Sequence, residues 1–315
     1  MNPHLPIIGL GSRNQTGFSF NFTGGVLDPR ITFTRSSVGS YFNSSGVLQS
    51  AAINTPRFSY DPSTLVSRGL LIEAAATNSL SWNESFDNAA WTKVNATIGA
   101  DATIAPSGSA TADKFIKSAT TSHAYVDSSY TGTGNISWSA FLKAGEFGYA
   151  KIHAENSAFS GLREATINLS TGAIVTNSGA GTGVALNSVT VTPINNGWYR
   201  VTLSVNVTSG TGLSVRIYAC TSAGANNILG DGVSGFYMSG GQVESGAAST
   251  SPILTTSGPA TRSADNASFT IPTGIGHLTY TFDDDTTQVV AVSPGAYSIP
   301  TNLNRAYIKS ILGAA

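Results

Sequence analysis

Few side chains here could do acid–base, nucleophilic or metal chemistry, and their spacing narrows the options further. Histidine occurs four times, at His4, His123, His153 and His277, never as His-x-His or His-x-x-x-His. Cys220 is the single cysteine, so the sequence implies no zinc site and no intrachain disulfide. It contains no Gly-x-Ser-x-Gly elbow and no glycine loop of the phosphate-cradling kind. Paired carboxylates are the one enzymatic option. Glu155 and Glu164 fall on successive strand-length runs, and a glycosidase needs two acids at a fixed separation. Glu155 with His153 is the other candidate pair. Lys151, Arg163, Arg200 and Arg216 are available to neutralise these acids, and cross-strand ion pairing accounts for them better than catalysis does. Asp283, Asp284 and Asp285 in FDDDTTQ read as hairpin-turn chemistry, because a calcium loop needs further spaced oxygen ligands. No metal and no cofactor is implied.

The elements that must position these groups are strands. Apolar and polar residues alternate in run after run through the centre of the chain, with short turns between. In GYAKIHAEN, Ala150, Ile152 and Ala154 point one way, and Tyr149, Lys151, His153 and Glu155 the other. In LREATINL, Ala165, Ile167 and Leu169 go inward and Glu164, Thr166 and Asn168 outward. In LSVRIYAC, Leu213, Val215, Ile217 and Ala219 go inward and Arg216 and Tyr218 outward. After an Asn195-Asn196-Gly197 turn, GWYRVTLSVNV puts Tyr199, Val201, Leu203, Val205 and Val207 inward and Trp198 and Arg200 outward. If these strands share one sheet, its outer face collects both rings and charges. Aromatic faces stack on sugar C–H groups, while charged side chains bond hydroxyls. Tyr149, His153, Glu155, Trp198, Arg200, Arg216 and Tyr218 are therefore the candidate carbohydrate-binding residues. Trp198 keeps a second reading: directly after a turn, its ring can fold over the sheet edge beneath a covering loop, and a bulge would reverse its phase.

Composition agrees with a strand-built protein. The 315 residues suffice for one large domain with small appendages. Only 10% are charged and the formal net charge is -1, so hydroxyls and amides must do most of the solvation. The absence of a Lys/Arg cluster argues against nucleic acid as a partner. No run reaches the length of a membrane helix, and MNPHLPIIGLGSRNQ, interrupted by Pro6 and two glycines, does not read as a secretion signal. The expected fold is all-β: a jelly-roll β-sandwich over 21–265, with an extended arm over 1–20 and a small C-terminal β unit over 266–315. Hairpins are expected at Asn43–Gly46, at Ser170–Gly172 and around the acidic turn of HLTYTFDDDTTQVVAV. FDNAAWTK suggests one helical turn. PTNLNRAYIKSILGAA suggests a short terminal helix, with Leu303, Tyr307 and Ile311 four apart.

Three stretches carry a resemblance: FTRSSVGSYFNSSGVLQSAAINTPRFSYDPSTLVSRGLLIEAAATN (33–78), NNGWYRVTLSV (195–205) and GGQVESGAASTSPILTTSGPATRSAD (240–265). Their order resembles phage tail-fibre and head-spike proteins with a carbohydrate-binding jelly-roll (concanavalin-like) domain, also found in spikes of phage-like gene transfer particles. Arg57, Asp61, Glu73, Gln242, Glu244, Arg262 and Asp265 match motif positions. Their reading is structural: buried or half-buried Arg–carboxylate pairs that clasp the N-terminal segment to the end of the sandwich.

The resemblance implies a non-enzymatic protein of the virion surface, a fibre, spike or capsid decoration, that binds host surface polysaccharide. The arm and the C-terminal segment would attach it to other virion proteins or to further copies of itself, a homotrimer being the first expectation. Two rivals stand beside this: a purely structural capsid or tail protein that binds no sugar, and a polysaccharide depolymerase using Glu155 and Glu164.

Overall fold

The alternation in the sequence becomes two six-stranded antiparallel sheets lying face to face. A computed structural model describes residues 17–315. The expected arm lies outside the described residues up to residue 16. Among the described residues the chain is all-β, and Asn195–Gly197, one 3-10 turn, is the only helical element.

The first sheet, called here the Trp138 sheet, runs Val184–Ile194, Trp198–Val207, Gly134–Lys143, Gly235–Ser245, Ala112–Lys117, Ala96–Thr103. The second, the His153 sheet, runs Ile174–Gly181, Gly161–Asn168, Tyr149–Asn156, Gly212–Ala219, Tyr125–Thr131, Thr92–Val94. Between them lies the main apolar core. Ile136, Trp138, Leu142, Val201, Leu203 and Val205 come from one side, and Ile152, Ile167, Leu213, Val215 and Ile217 from the other. The hairpin between Ile194 and Trp198 turns on Asn196 and Gly197, both with positive φ, the backbone region these two residue types tolerate. The hairpins at Asn43–Gly46 and Ser170–Gly172 also form.

One irregularity decides what the Trp138 sheet shows on its outer face. In Gly235–Ser245 the register shifts opposite Ser139 and Phe141, and Gly240 takes a φ of 60°. A Cβ at Gly240 would meet the Phe141 ring at 2.7 Å. This bulge moves the side-chain phase by one residue. Phe236 and Met238 point into the core before it, and Val243 after it. Gln242 and Glu244 are thereby turned outward; on a regular strand they would enter the apolar core.

The expectation for the two ends of the chain needs correction. Residues 266–315 do not form a unit of their own. Tyr307–Ala314 is a strand, not a helix, and pairs with Phe18–Asn21, His277–Phe282 and Ser67–Leu71. Asn266–Ile271 pairs with Thr32–Thr34. The two ends share one core of Phe20, Phe22, Phe33, Leu70, Phe269, Leu278, Tyr280, Phe282, Ile308 and Ile311. A four-residue spacing of apolar side chains suits a helix but also keeps to one face of a strand, and partners on both sides of this segment select the strand. A bulge at Thr281/Phe282 lets Ile308 and Ile311, three apart, enter the same core. FDNAAWTK likewise forms turns and then a strand from Thr92. Trp91 is held against Phe86 with ring centroids 4.5 Å apart.

This second core is fastened to the sandwich by buried ions. Arg57 reaches Glu73 at 2.8 Å and Asp265 at 2.5 Å, Arg35 reaches Asp265 at 3.1 Å, and Arg262 reaches Glu73 at 3.5 Å. All five residues are buried. Burial alone would raise the Glu73 carboxyl; Arg57, Arg262 and two hydrogen bonds from Ser251 outweigh it and hold the group ionised, below its ordinary value. Glu244 accepts hydrogen bonds from the Thr250 backbone N–H and hydroxyl, and Gln242 accepts one from the Ile253 N–H. The 247–253 loop is thus tied to the same cluster. Asp61 plays a local part, accepting from the Ser63 and Thr64 N–H groups in a turn.

Removing one member leaves its partners charged, buried and unpaired. Asp265→Asn is expected to cost about 3–5 kcal/mol, lowering Tm by roughly 10 °C. Thermal unfolding followed by circular dichroism checks this; a Tm within about 2 °C of the parent would mean the cluster contributes little.

Candidate functional site

The seven candidate residues divide between the two sheets. Tyr149, His153, Glu155, Arg216 and Tyr218 share the outer face of the His153 sheet, while Trp198 and Arg200 lie on the Trp138 sheet, across the core. The expected single recognition face therefore does not exist as one surface.

Trp198 does face away from the main core, as its phase requires. It does not meet solvent. Its side chain is 1% exposed and packs with Phe42, Ala105, Phe141 and Ile194 in a small separate apolar cluster. Its indole N–H donates to the Ile104 carbonyl at 3.0 Å. The covering chain is the Gly39–Phe42/Leu48–Ala51 hairpin together with the turn after Thr103. Of the two readings of Trp198, the covering-loop one holds, and Trp198 leaves the ligand set. Tyr199 packs on the main core and donates its hydroxyl to the Ser170 carbonyl at 3.2 Å.

On the His153 sheet, antiparallel registers line the polar side chains up in rungs across the strands. One rung reads Asp127, Arg216, His153, Glu164, Ser178. The neighbouring rung reads Tyr125, Tyr218, Lys151, Thr166, Thr176. Contacts run along and between them. Arg216 Nε donates to Asp127 at 2.9 Å and Nη1 to Glu155 at 2.7 Å. Ser214 also donates its hydroxyl to Asp127. His153 Nδ1 lies 3.2 Å from Glu164 and Nε2 3.9 Å from Glu155, and Lys151 reaches Glu164 at 2.9 Å. The Tyr218 ring stands between the rings of Tyr125 and His153, with centroids 4.8 and 5.4 Å away.

This face is half open. Lys151, His153 and Tyr218 are buried; Tyr125, Asp127, Tyr149, Glu155, Glu164 and Arg216 are partly exposed. The loop after Cys220 covers the Lys151 end. A Cβ on Gly224 would come within 2.8 Å of Thr166 Oγ1 and 3.8 Å of Lys151 Cε, so glycine allows the loop to lie close. Tyr125 and Asp127 belong to the face although the candidate set omits them. Their signal is legible in SHAYVDSSY, where Ala124 and Val126 point inward.

The electrostatics favour fixed charges over proton transfer. Burial by itself would raise the Glu164 carboxyl. Hydrogen bonds from His153 and Lys151, with their charges, win and hold it at about 2. Arg216 is driven the other way: burial would lower it, but Tyr218, Asp127 and Glu155 raise it above its ordinary value. Cys220 is buried beneath this face, and burial pushes its thiol up to about 11, away from the reactive thiolate. His153, Glu155 and Glu164 carry metal-ligating atoms, yet among the described residues no three such side chains converge to share an ion. In the turn after His277–Phe282 the three Asp of FDDDTTQ are engaged: Asp283 by Arg68 and Arg305, Asp284 by Thr286 and Arg305, and Asp285 by Lys309.

No family model matches the chain, and no curated protein is significantly similar to it.

A carboxyl whose folded pKa lies below its unfolded value stabilises the fold fully above the unfolded value. That contribution is lost as pH falls through the folded value. For Glu164 the window runs from pH 4.5 down to about 2. The expected loss across it is on the order of 2 kcal/mol, allowing for partial exposure. Comparing Tm against pH for the parent and Glu164→Gln checks this: the variant's curve should fall less steeply between those pH values, and parallel curves would rule the contribution out.

Proposed function

We propose that this protein is a phage virion component, a fibre, spike or capsid decoration, whose jelly-roll sandwich binds a host surface glycan through the outer face of the His153 sheet. One observation carries the binding half of this reading. Asp127, Arg216 and Glu155 are partly exposed and hold one another in place, Glu164 is held by Lys151 and His153, and the Tyr125 and Tyr149 rings lie on the same face. Such a surface offers hydroxyl-bonding groups already oriented and desolvated in part, together with flat apolar area for C–H patches. Ordering these side chains costs nothing further when a sugar arrives.

The virion half rests on the three motif stretches. Their matching residues Arg57, Glu73, Arg262 and Asp265 make one ion cluster, with Gln242 and Glu244 securing the loop beside it. Residues far apart in the chain thus serve a single structural device. A shallow face of this kind binds one glycan weakly, and display in several copies on a particle, as in a trimer, raises the effective affinity.

A second reading has its own support. Every acid in the rung already has a basic partner within the face, so the network also makes sense as sheet reinforcement in a capsid or tail protein that binds no sugar. A depolymerase is less well supported: a glycosidase acid needs a raised pKa, and Glu164 is held far below the carboxylate range.

Glycan-array and capsule-binding assays, with the protein presented both singly and multivalently, discriminate these. The expected outcome is binding to a host surface polysaccharide that falls about tenfold in Tyr149→Ala while Tm is unchanged. Absence of binding to every host polysaccharide, even in multivalent form, would defeat the glycan reading and leave the structural one.

A further inference from the structure

Arg200, excluded from the His153 face, opens onto a different feature. A cavity of about 240 Å³ lies against the outer side of the Trp138 sheet, where the Val184–Ile194 edge strand, the 247–249 loop and Tyr307 meet. That is room for a small organic solute rather than a single water. Hydroxyls, guanidinium groups and apolar side chains share its lining. Ser188, Thr190, Thr192 and Thr202 bring hydroxyls from neighbouring strands, and Ser249 adds another from the loop. Tyr307 and Phe42 supply aromatic surface.

Charge distinguishes it. Arg68, on one wall, is already paired with Asp283 at 2.9 Å and stacks on Tyr307 with its guanidinium 4.3 Å from the ring centre. Arg200 has no carboxylate partner among the described residues. Its Nη1 donates to the Thr250 carbonyl at 2.8 Å and Nη2 to Ser139 Oγ at 3.2 Å, both neutral acceptors, and its Nε has no partner. The Ser249 hydroxyl is also buried without a partner. The imbalance extends to the ion cluster behind it, where among the described residues Arg35, Arg57, Arg200 and Arg262 lie with three carboxylates, Glu73, Glu244 and Asp265. Burial disfavours the Arg200 charge, and Glu244, Tyr307 and Glu73 favour it from a distance without contact. One positive charge is thus left uncompensated at the wall of a hydroxyl-lined cavity. A half-buried guanidinium in that position is a carboxylate receptor.

We infer that this cavity binds a small hydroxylated carboxylic acid, a hexuronic acid unit, with its carboxylate on Arg200, its hydroxyls on the Ser and Thr side chains and its C–H face toward Tyr307. The site lies across the sandwich from the His153 face and is independent of glycan recognition there.

Isothermal titration of the full chain with D-galacturonate, D-glucuronate, D-galactose and inorganic phosphate tests it. One of the two uronates is expected to bind in the millimolar range, with galactose and phosphate at least about tenfold weaker. Thr190 is exposed on an edge strand, so Thr190→Trp can fill the cavity without disturbing the core. It should abolish uronate binding at unchanged Tm. Arg200→Gln should weaken binding about tenfold, and Tyr149→Ala should leave it intact. Galactose or phosphate binding as tightly as the better-bound uronate, neither uronate binding, or Thr190→Trp retaining full affinity would each overturn the assignment.

Discussion

A buried set of guanidinium and carboxylate groups is the constraint on which the rest of this structure depends. Arg35, Arg57 and Arg262 meet Glu73 and Asp265 where the sandwich joins the unit built from both chain ends. Ions removed from water are tolerable only with partners in place, and most of these partners are far apart in sequence. Asp265 touches Arg35, Arg57 and the Glu73 backbone N–H, so one carboxylate joins three segments of the N-terminal region to the end of the sandwich. Apolar packing could bring the two units together in several orientations. Paired charges with fixed hydrogen-bond directions admit far fewer.

That junction gives the two sheets different fates. The outer side of the Trp138 sheet becomes an internal interface: Trp198 and Phe141 are roofed by the Gly39–Ala51 hairpin, and Gln242 and Glu244 hold the 247–253 loop. The bulge at Gly240 is what allows this, since it alone turns Gln242 and Glu244 out of the apolar layer. Among the described residues, the outer face of the His153 sheet receives the loop after Cys220 and keeps most of its rung of charges at the surface. In a chain with only 10% charged residues, the remaining surface is left to hydroxyls and amides.

Much of this was legible in the sequence, for identifiable reasons. Period-two alternation gave the correct inward sets Ala150/Ile152/Ala154, Ala165/Ile167/Leu169 and Leu213/Val215/Ile217/Ala219, because each strand has one greasy and one polar side. The motif residues Arg57, Glu73, Arg262 and Asp265 suggest a buried or half-buried clasp, and the structure pairs them and buries them. Alternation says nothing about which strands share a sheet, however. Trp198 and Arg200 have the right phase but the wrong sheet, and only long-range pairing separates them from Tyr149. Nor does it say what covers a face, which is why Trp198 kept two readings. The terminal helix failed for a related reason: the spacing of Tyr307 and Ile311 fits a helix locally, while strands waiting on both sides, one from the start of the chain, settle the matter.

The unequal count of buried charges links the clasp to the cavity beside it. Glu244 fixes Thr250, and the Thr250 carbonyl in turn holds Arg200. The same guanidinium therefore closes the loop over the sheet and faces the empty space at Tyr307. Its burial without a contacting carboxylate is offset only in part by two neutral acceptors, so the folded chain retains an unmet demand for negative charge at that point. An anion entering the cavity would meet that demand and would bind the folded form alone, since the unfolded chain has no such site. By linkage, its binding free energy would add to the stability of the junction. A guanidinium without a contacting carboxylate thus stands where the two halves of the protein are joined, and occupancy there and the hold between them would rise together.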